Sequence, residues 1–304
     1  MKNWKLIFGI NLIMAIMLPA CAPKQDPESD FKIRLNPDDG GKTVFITEYT
    51  GTKQEVRIPS RVQNKPVIGI DKAAFRRKEI ISVIIPDSVR TIGDEAFKDN
   101  YLININIPNN VISIGITAFA GNKLTSVTIP ENITHIGEYA FAETNLTSVI
   151  ISNNVTHIGE GAFLRNQLTS VTIPNSVIYI GDGAFEDNQL TSVIIPDNVT
   201  YIGVEAFLDN QLTSVIIGNS VTDIEADAFR GNQLTSVTIP NSVTLIGDGA
   251  FFDNQLTSIT IGNNVTFIDD YAFSDNQLTS VIIPNSVTNL SDWAFDRNVK
   301  ITRQ

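Results

Sequence analysis

The sequence predicts an α/β, β-rich solenoid, built from stacked coils with parallel strands and short helical turns and capped at its start by a β-hairpin. Three observations predict it. Phenylalanine recurs as Phe75, Phe97, Phe119, Phe141, Phe163, Phe185, Phe207, Phe229, Phe251, Phe273 and Phe295, and every interval is 22 residues. A fixed period of about 20 to 50 residues marks an array in which each unit buries its apolar side only against its neighbours. Each copy also holds a short two-residue alternation that closes on a residue such as proline, and an Ile-Gly or similar pair follows before the next Ala-Phe.

Taken in order, residues 1–20 read as an export signal and stay outside the fold argument. Lys2 and Lys5 give a positive start, and the apolar run 6–18 is broken only by Gly9 and Asn11. Such a run is too short to span a bilayer as a helix, which needs about 20 residues. It ends in Leu18-Pro19-Ala20-Cys21, which resembles the lipobox of bacterial lipoproteins; the resemblance implies that Cys21 is lipidated and becomes the new N-terminus. Cys21 is the chain's one cysteine, and Met1, Met14 and Met17 all precede it. Beyond it no disulfide, CxxC pair or cysteine nucleophile can exist. Residues 21–30 continue as a polar stretch with two prolines, expected to be a short extended tether from the lipidated cysteine.

Residues 31–74 read as the N-terminal cap. The alternation at 31–35, the turn chemistry of Asn36-Pro37-Asp38-Asp39-Gly40-Gly41 and the β-branched run at 43–47 signal a hairpin. Val56-Arg57-Ile58-Pro59 and Val67-Ile68-Gly69-Ile70 then anticipate the landmarks of the later coils. A solenoid needs such a cover because an open strand edge invites pairing.

Residues 75–304 form the array and its C-terminal end. In the copy beginning at Phe185 the apolar landmarks are Leu190, Val193, Ile195, Val199, Ile202, Ala206 and Phe207. Each large one contributes about 1.5–3 kcal/mol on burial, while ordering a residue costs about 1–2 kcal/mol, so one coil alone cannot fold. Val193 and Ile195 share one face of a strand by the two-residue period, Pro196 ends it, and Val199-Thr200-Tyr201-Ile202 forms a second short strand turned by Gly203. Ala206-Phe207 begins a single helical or 3₁₀ turn. Asn188 recurs as Asn100, Asn122, Asn166, Asn210, Asn232, Asn254, Asn276 and Asn298, with Asn145 displaced by one; a corner asparagine kept in this way can satisfy buried backbone groups. The acidic column beside it (Asp187, Asp209, Asp253, Asp275) is interrupted by Gly121, Arg165, Gly231 and Arg297, which argues against a calcium ladder.

The pattern L-x-x-V-x-I-P-x-x-V-x-x-I-G-x-x-A-F resembles the BspA-like leucine-rich repeats of bacterial surface antigens over about residues 31–301. The resemblance implies a leucine-rich-repeat solenoid with a surface-exposed binding or adhesion role and no defined ligand. Here asparagine stands where that repeat often has cysteine, and the period of 22 is a residue shorter than is usual for it.

The surface offers two candidate faces. The outward positions of the first strand run Thr128, Ile150, Thr172, Ile194, Ile216, Thr238, Thr260 in one column and include Ser170, Ser192 and Ser214 in the next. They predict an uncharged sheet of hydroxyls and methyls suited to protein or glycan partners. The second is the line His135, His157, Tyr179, Tyr201 on consecutive coils, rings that suit sugars or peptide side chains. Two histidines without further ligands do not make a metal site, and near-identical rungs of serine do not make the asymmetric set that catalysis requires. No enzyme, cofactor or metal is expected. A net charge of -11 argues against nucleic acid, whose phosphates are neutralised by basic residues. The expectation is an exported, lipid-anchored envelope protein, held to the membrane through Cys21 and exposed at the outer surface; the alternative is a periplasm-facing scaffold.

Overall fold

The computed structural model describes residues 25–304. The export signal, Cys21 and the start of the tether lie outside the described residues.

The seven interior positions of the coil are all in the core. Leu190, Val199, Ile202, Ala206 and Phe207 are fully buried, and Val193 and Ile195 nearly so. The phenylalanines stack into one ladder, with centroids 5.3 Å apart between Phe207 and Phe229 and planes 2° from parallel. The ladder continues into the cap: Tyr49 stacks on Phe75 at 5.5 Å, and Phe31 closes on Tyr49 at 5.4 Å. The hairpin expected at the start is present, with Phe31–Leu35 antiparallel to Val44–Tyr49. Asp26 is buried, accepting from the Arg57 N–H at 2.7 Å and pairing with Lys53. Residues 26–30 of the polar stretch therefore pack on the cap, with a 3₁₀ turn at Glu28–Asp30.

Two strand columns run along the stack. The second column, two residues per coil, forms one continuous parallel sheet of eight strands from His135–Ile136 to Asn289–Leu290. Thr91–Ile92 and Ser113–Ile114 instead join the sheet of the cap. The turn begun by Ala206-Phe207 keeps the i→i−3 spacing of a 3₁₀ turn, with the Leu208 N–H donating to the Glu205 carbonyl. Glu205 itself is left-handed at φ 57°, so no helix propagates.

The first column is hydrogen-bonded only in twos. Ser126–Thr128 pairs with Ser148–Ile150, Ser192–Ile194 with Ser214–Ile216, and Ser236–Thr238 with Ser258–Thr260. Between these pairs, and on both sides of residues 170–172, the ladder is open. A stack of parallel strands predicts a continuous ladder on this column, and the residue after the strand accounts for much of the difference. Pairing occurs where a proline coil is followed by serine or glycine at the same position: Pro130 then Ser152, Pro196 then Gly218, Pro240 then Gly262. Where Pro174, Pro196, Pro240 or Pro284 follows instead, the ladder is broken. A Cβ on Gly218 would stand 2.3 Å from the Pro196 carbonyl oxygen, and one on Gly262 would meet Pro240 in the same way. At Gly218 and Gly262 the backbones approach too closely for a proline ring; in the cap, where Glu55–Arg57 pairs with Ser82–Ile84, Pro86 follows Pro59 without breaking the pair.

Candidate binding faces

The first-strand face stands where its residues placed it. Ile150, Ile194 and Ile216 are 64%, 63% and 61% exposed, and Thr128, Thr172, Thr238, Thr260, Ser170, Ser192 and Ser214 are exposed with them. Their inward neighbours explain this: Val193 is buried in the strand Ser192–Ile194, so the flanking residues must point out. The open ladder adds relief. Val149, Val171, Val215 and Ile259, which precede the breaks, are only half-buried, and an open groove of about 760 Å³ runs across Thr238, Thr260 and Ile282 beside Pro240, Gly262 and Pro284. The face thus combines methyls, hydroxyls and unpaired backbone groups, the last at Ser170 to Ile173 above all.

The line of rings is assembled on the continuous second column, with His135, His157, Tyr179 and Tyr201 in direct register. The rings spend their faces on one another. His135 and His157 are 4.4 Å apart and 12° from parallel, and Tyr179 and Tyr201 are 5.1 Å apart and 2° from parallel. Parallel rings so close must overlap, so the ring edges, not the faces expected to stack on sugars, are what the line presents. Burial first, then Glu225, Asp182 and their neighbours, pushes the Tyr201 phenol up to about 12. The Tyr139 phenol, hydrogen-bonded to Glu160, is likewise pushed up to about 12. These hydroxyls stay protonated at neutral pH.

Acidic residues flank the rings. No Lys or Arg stands between Arg165 and Arg230, a stretch that carries Asp182, Glu186, Asp187, Glu205 and Asp209. Burial and then neighbouring carboxylates push the Glu186 and Asp209 carboxyls up. The acidic column has a backbone reason: Asp187, Asp209, Asp253 and Asp275 are all left-handed, at φ 51° to 55°, a conformation that Asp, Asn and Gly tolerate best. Among the described residues no three His, Cys, Asp or Glu side chains converge.

The sequence reading missed a row of hydroxyls. Thr156, Thr200, Thr222 and Thr266 each donate to the carbonyl of the residue 22 positions earlier, and Thr134 and Thr156 touch the Nδ1 atoms of His135 and His157. The threonine column was visible at fixed spacing; its contacts depend on rotamers.

A stack of short coils, one continuous ladder, one long exposed face and a half-buried line of rings define a leucine-rich-repeat scaffold. The chain belongs to the BspA-type leucine-rich-repeat family, whose model matches residues 68–191 and 178–302 with six copies. Among solved structures it is similar to a leucine-rich cell surface protein from Faecalibacterium prausnitzii, 22% identical, covering 92% of this chain and 95% of that one with a TM-score of 0.50. It is similar too to the pneumococcal vaccine antigen PcpA, 18% identical, covering 90% and 96% with a TM-score of 0.50. YopM from Yersinia enterocolitica is 17% identical, covering 82% and 55%, at 0.52. No curated protein matches the chain. Among the described residues no helix is long and apolar enough to cross a membrane.

Proposed function

We propose that the protein is an exported, lipid-anchored surface module that binds protein or glycan partners through its first-strand face, without catalysis. In this reading residues 1–20 are the signal, Cys21 carries the lipid, residues 21–30 lead into the cap at 31–74, and the array of 75–304 presents the face. The observation that carries it is the strip of Ile150, Ile194 and Ile216, each more than 60% exposed and set among uncharged hydroxyls on a stacked scaffold. Apolar side chains so placed gain free energy when a partner covers them. The surface location of the Faecalibacterium protein and the antigen status of PcpA are in keeping with it.

Protease treatment of intact cells, with a periplasmic protein as integrity control, tests the location. Rapid loss from unbroken cells supports the surface reading. Protection until lysis, with the purified protein digestible, transfers the chain to the alternative of a periplasm-facing scaffold. Capture of host proteins and glycans by the wild type is then compared with Thr172→Lys, Ile194→Lys and Ile216→Lys combined. All three side chains are exposed, so the variant folds, and undiminished capture would clear this face.

A further inference from the structure

Over the last four coils one column of the turns reads Asp227, Gly249, Tyr271 and Trp293. Tyr271 is left-handed at φ 54°, as Gly249 is at 59°, in a region that glycine adopts freely and a bulky residue rarely does. The core does not require the ring there: Tyr271 is 46% exposed and Trp293 49%. The Phe252 ring stands against Tyr271, with centroids 6.4 Å apart and planes 89° apart. Beside the two rings a cavity of about 250 Å³ opens, lined also by Asp227, Arg230, Asp248 and Gly249. A Cβ on Gly249 would collide with the Asp227 carboxylate, so glycine leaves that carboxylate its place. The cavity already holds one cation of the chain's own. The Arg230 guanidinium carbon lies 5.0 Å over the Phe252 ring, and a guanidinium nitrogen is 3.3 Å from Asp227 Oδ1, so a cation sits between an aromatic face and a carboxylate. Tyr271 and Asp248 bring the same two groups to the same cavity, and among the described residues no second Lys or Arg lines it.

We propose that this cavity binds an arginine side chain of a protein partner, with its guanidinium against the Tyr271 ring and paired with Asp248. A guanidinium is planar, stacks on aromatic faces and forks onto a carboxylate, and Arg230 on Phe252 and Asp227 shows that pairing within the same cavity. The space suits one side chain, since drug-sized ligands take clefts of about 300–1,000 Å³. Charge favours a cation. Burial, and then Asp269, Asp227 and Asp270, pushes the Asp248 carboxyl up against the opposing charge of Arg230, and an added cation offsets that crowding of carboxylates. At longer range, residues 101–304 carry 20 acidic and 6 basic side chains, a field that draws a basic partner toward the array. The contact lies on the turns and does not use the uncharged first-strand face, so it stands whether or not that face binds.

The test is a titration of the full chain with N-acetyl-arginine methylamide, read from the Gly249 amide and the Tyr271 ring resonances. The citrulline analogue, which has nearly the same shape and no charge, is the control. The arginine probe is expected to move both signals along one saturable curve, and the citrulline probe to leave them in place. Tyr271→Leu and Asp248→Asn should each weaken binding about threefold to tenfold, whereas Tyr271→Phe keeps a ring face and should bind as the wild type does. Both side chains are exposed, and circular dichroism reports whether each variant keeps its fold. Absence of any shift up to the solubility of the probe overturns the proposal, as does an equal response to citrulline. So does binding that survives in the Tyr271→Leu/Asp248→Asn double variant, which would spread the attraction over the acidic turns. A response to methyl glucoside in place of the arginine probe overturns it too, and would assign the rings to a sugar.

Discussion

Asn188 and Phe163 belong to successive coils, and the Asn188 Nδ2 donates to the Phe163 carbonyl at 2.9 Å. The same amide donates to the Phe185 carbonyl at 3.1 Å, while its Oδ1 accepts from the Leu168 N–H at 3.1 Å. One side chain thereby satisfies buried backbone groups of two coils, and the arrangement repeats at Asn122, Asn210, Asn232 and Asn254. Asn188→Ala should cost about 2–3 kcal/mol, since a buried group left unpaired costs about 1–3 kcal/mol. Urea unfolding, together with faster amide exchange at Leu168, checks it.

Thr144 occupies the column where the coils from Phe97 onward otherwise carry asparagine, and it is buried. Its hydroxyl reaches the Phe141 carbonyl at 3.3 Å and the Asn166 Oδ1 at 2.5 Å, but no contact crosses to Phe119. Thr144→Asn should restore the crossing bonds and stabilise the protein by about 1 kcal/mol, the net worth of a hydrogen bond. A rise in the urea midpoint with an unchanged slope is the expected reading.

Gly218→Pro should convert a paired junction into an open one. The new ring would collide with the Pro196 carbonyl, an overpacking that costs about 1–3 kcal/mol. The Ile195 N–H now donates to the Ile216 carbonyl at 2.8 Å. Its hydrogen exchange should accelerate in the variant, while the amide of Gly203, on the continuous column, stays protected.

Asp26 predicts an acid-sensitive cap. Burial alone would raise its carboxyl, but the hydrogen bonds from Lys53 and the Arg57 N–H, with the charges of both residues, outweigh burial and lower it. The folded carboxyl is therefore the stronger acid. The stability it adds is complete above the unfolded value of about 3.9 and is lost as the pH falls through the lower folded value. Asp26→Asn should flatten this acid limb, read as the pH dependence of amide exchange at Arg57.

Much of the fold was legible in the residues because a strict period fixes interior and exterior together. Phe207, Leu190 and Ile202 could only be core, and Ile194 beside Val193 could only be outside. The pairing of coils was not read, although Pro196, Gly218, Pro240 and Gly262 stood in view. Proline acts locally by ending its own strand, and its second effect falls on a coil 22 residues away, a contact that exists only after stacking. Ring orientation at Tyr179 and Tyr201 escaped for a related reason: the choice between edge and face is made by neighbours across the ladder. Asp26 was hidden in a stretch whose composition is that of a tether, and its partners Lys53 and Arg57 come from distant positions.

The unequal bonding of the two strand columns gives the rod a direction of easy bending. From His135 to Leu290 one long edge is laced without interruption and resists extension, whereas the edge bearing Ile150, Ile194 and Ile216 is closed by separate clasps of two coils. At 238 and 282 the clasped edge is joined only beside the strand, by the Gln233 N–H donating to the Leu212 carbonyl and the Gln277 N–H to the Leu256 carbonyl, both at 2.9 Å, so strain along the molecule falls on those bonds first. The exposed isoleucines therefore stand on the edge whose strands are bonded only two coils at a time, each pair able to shift against the next.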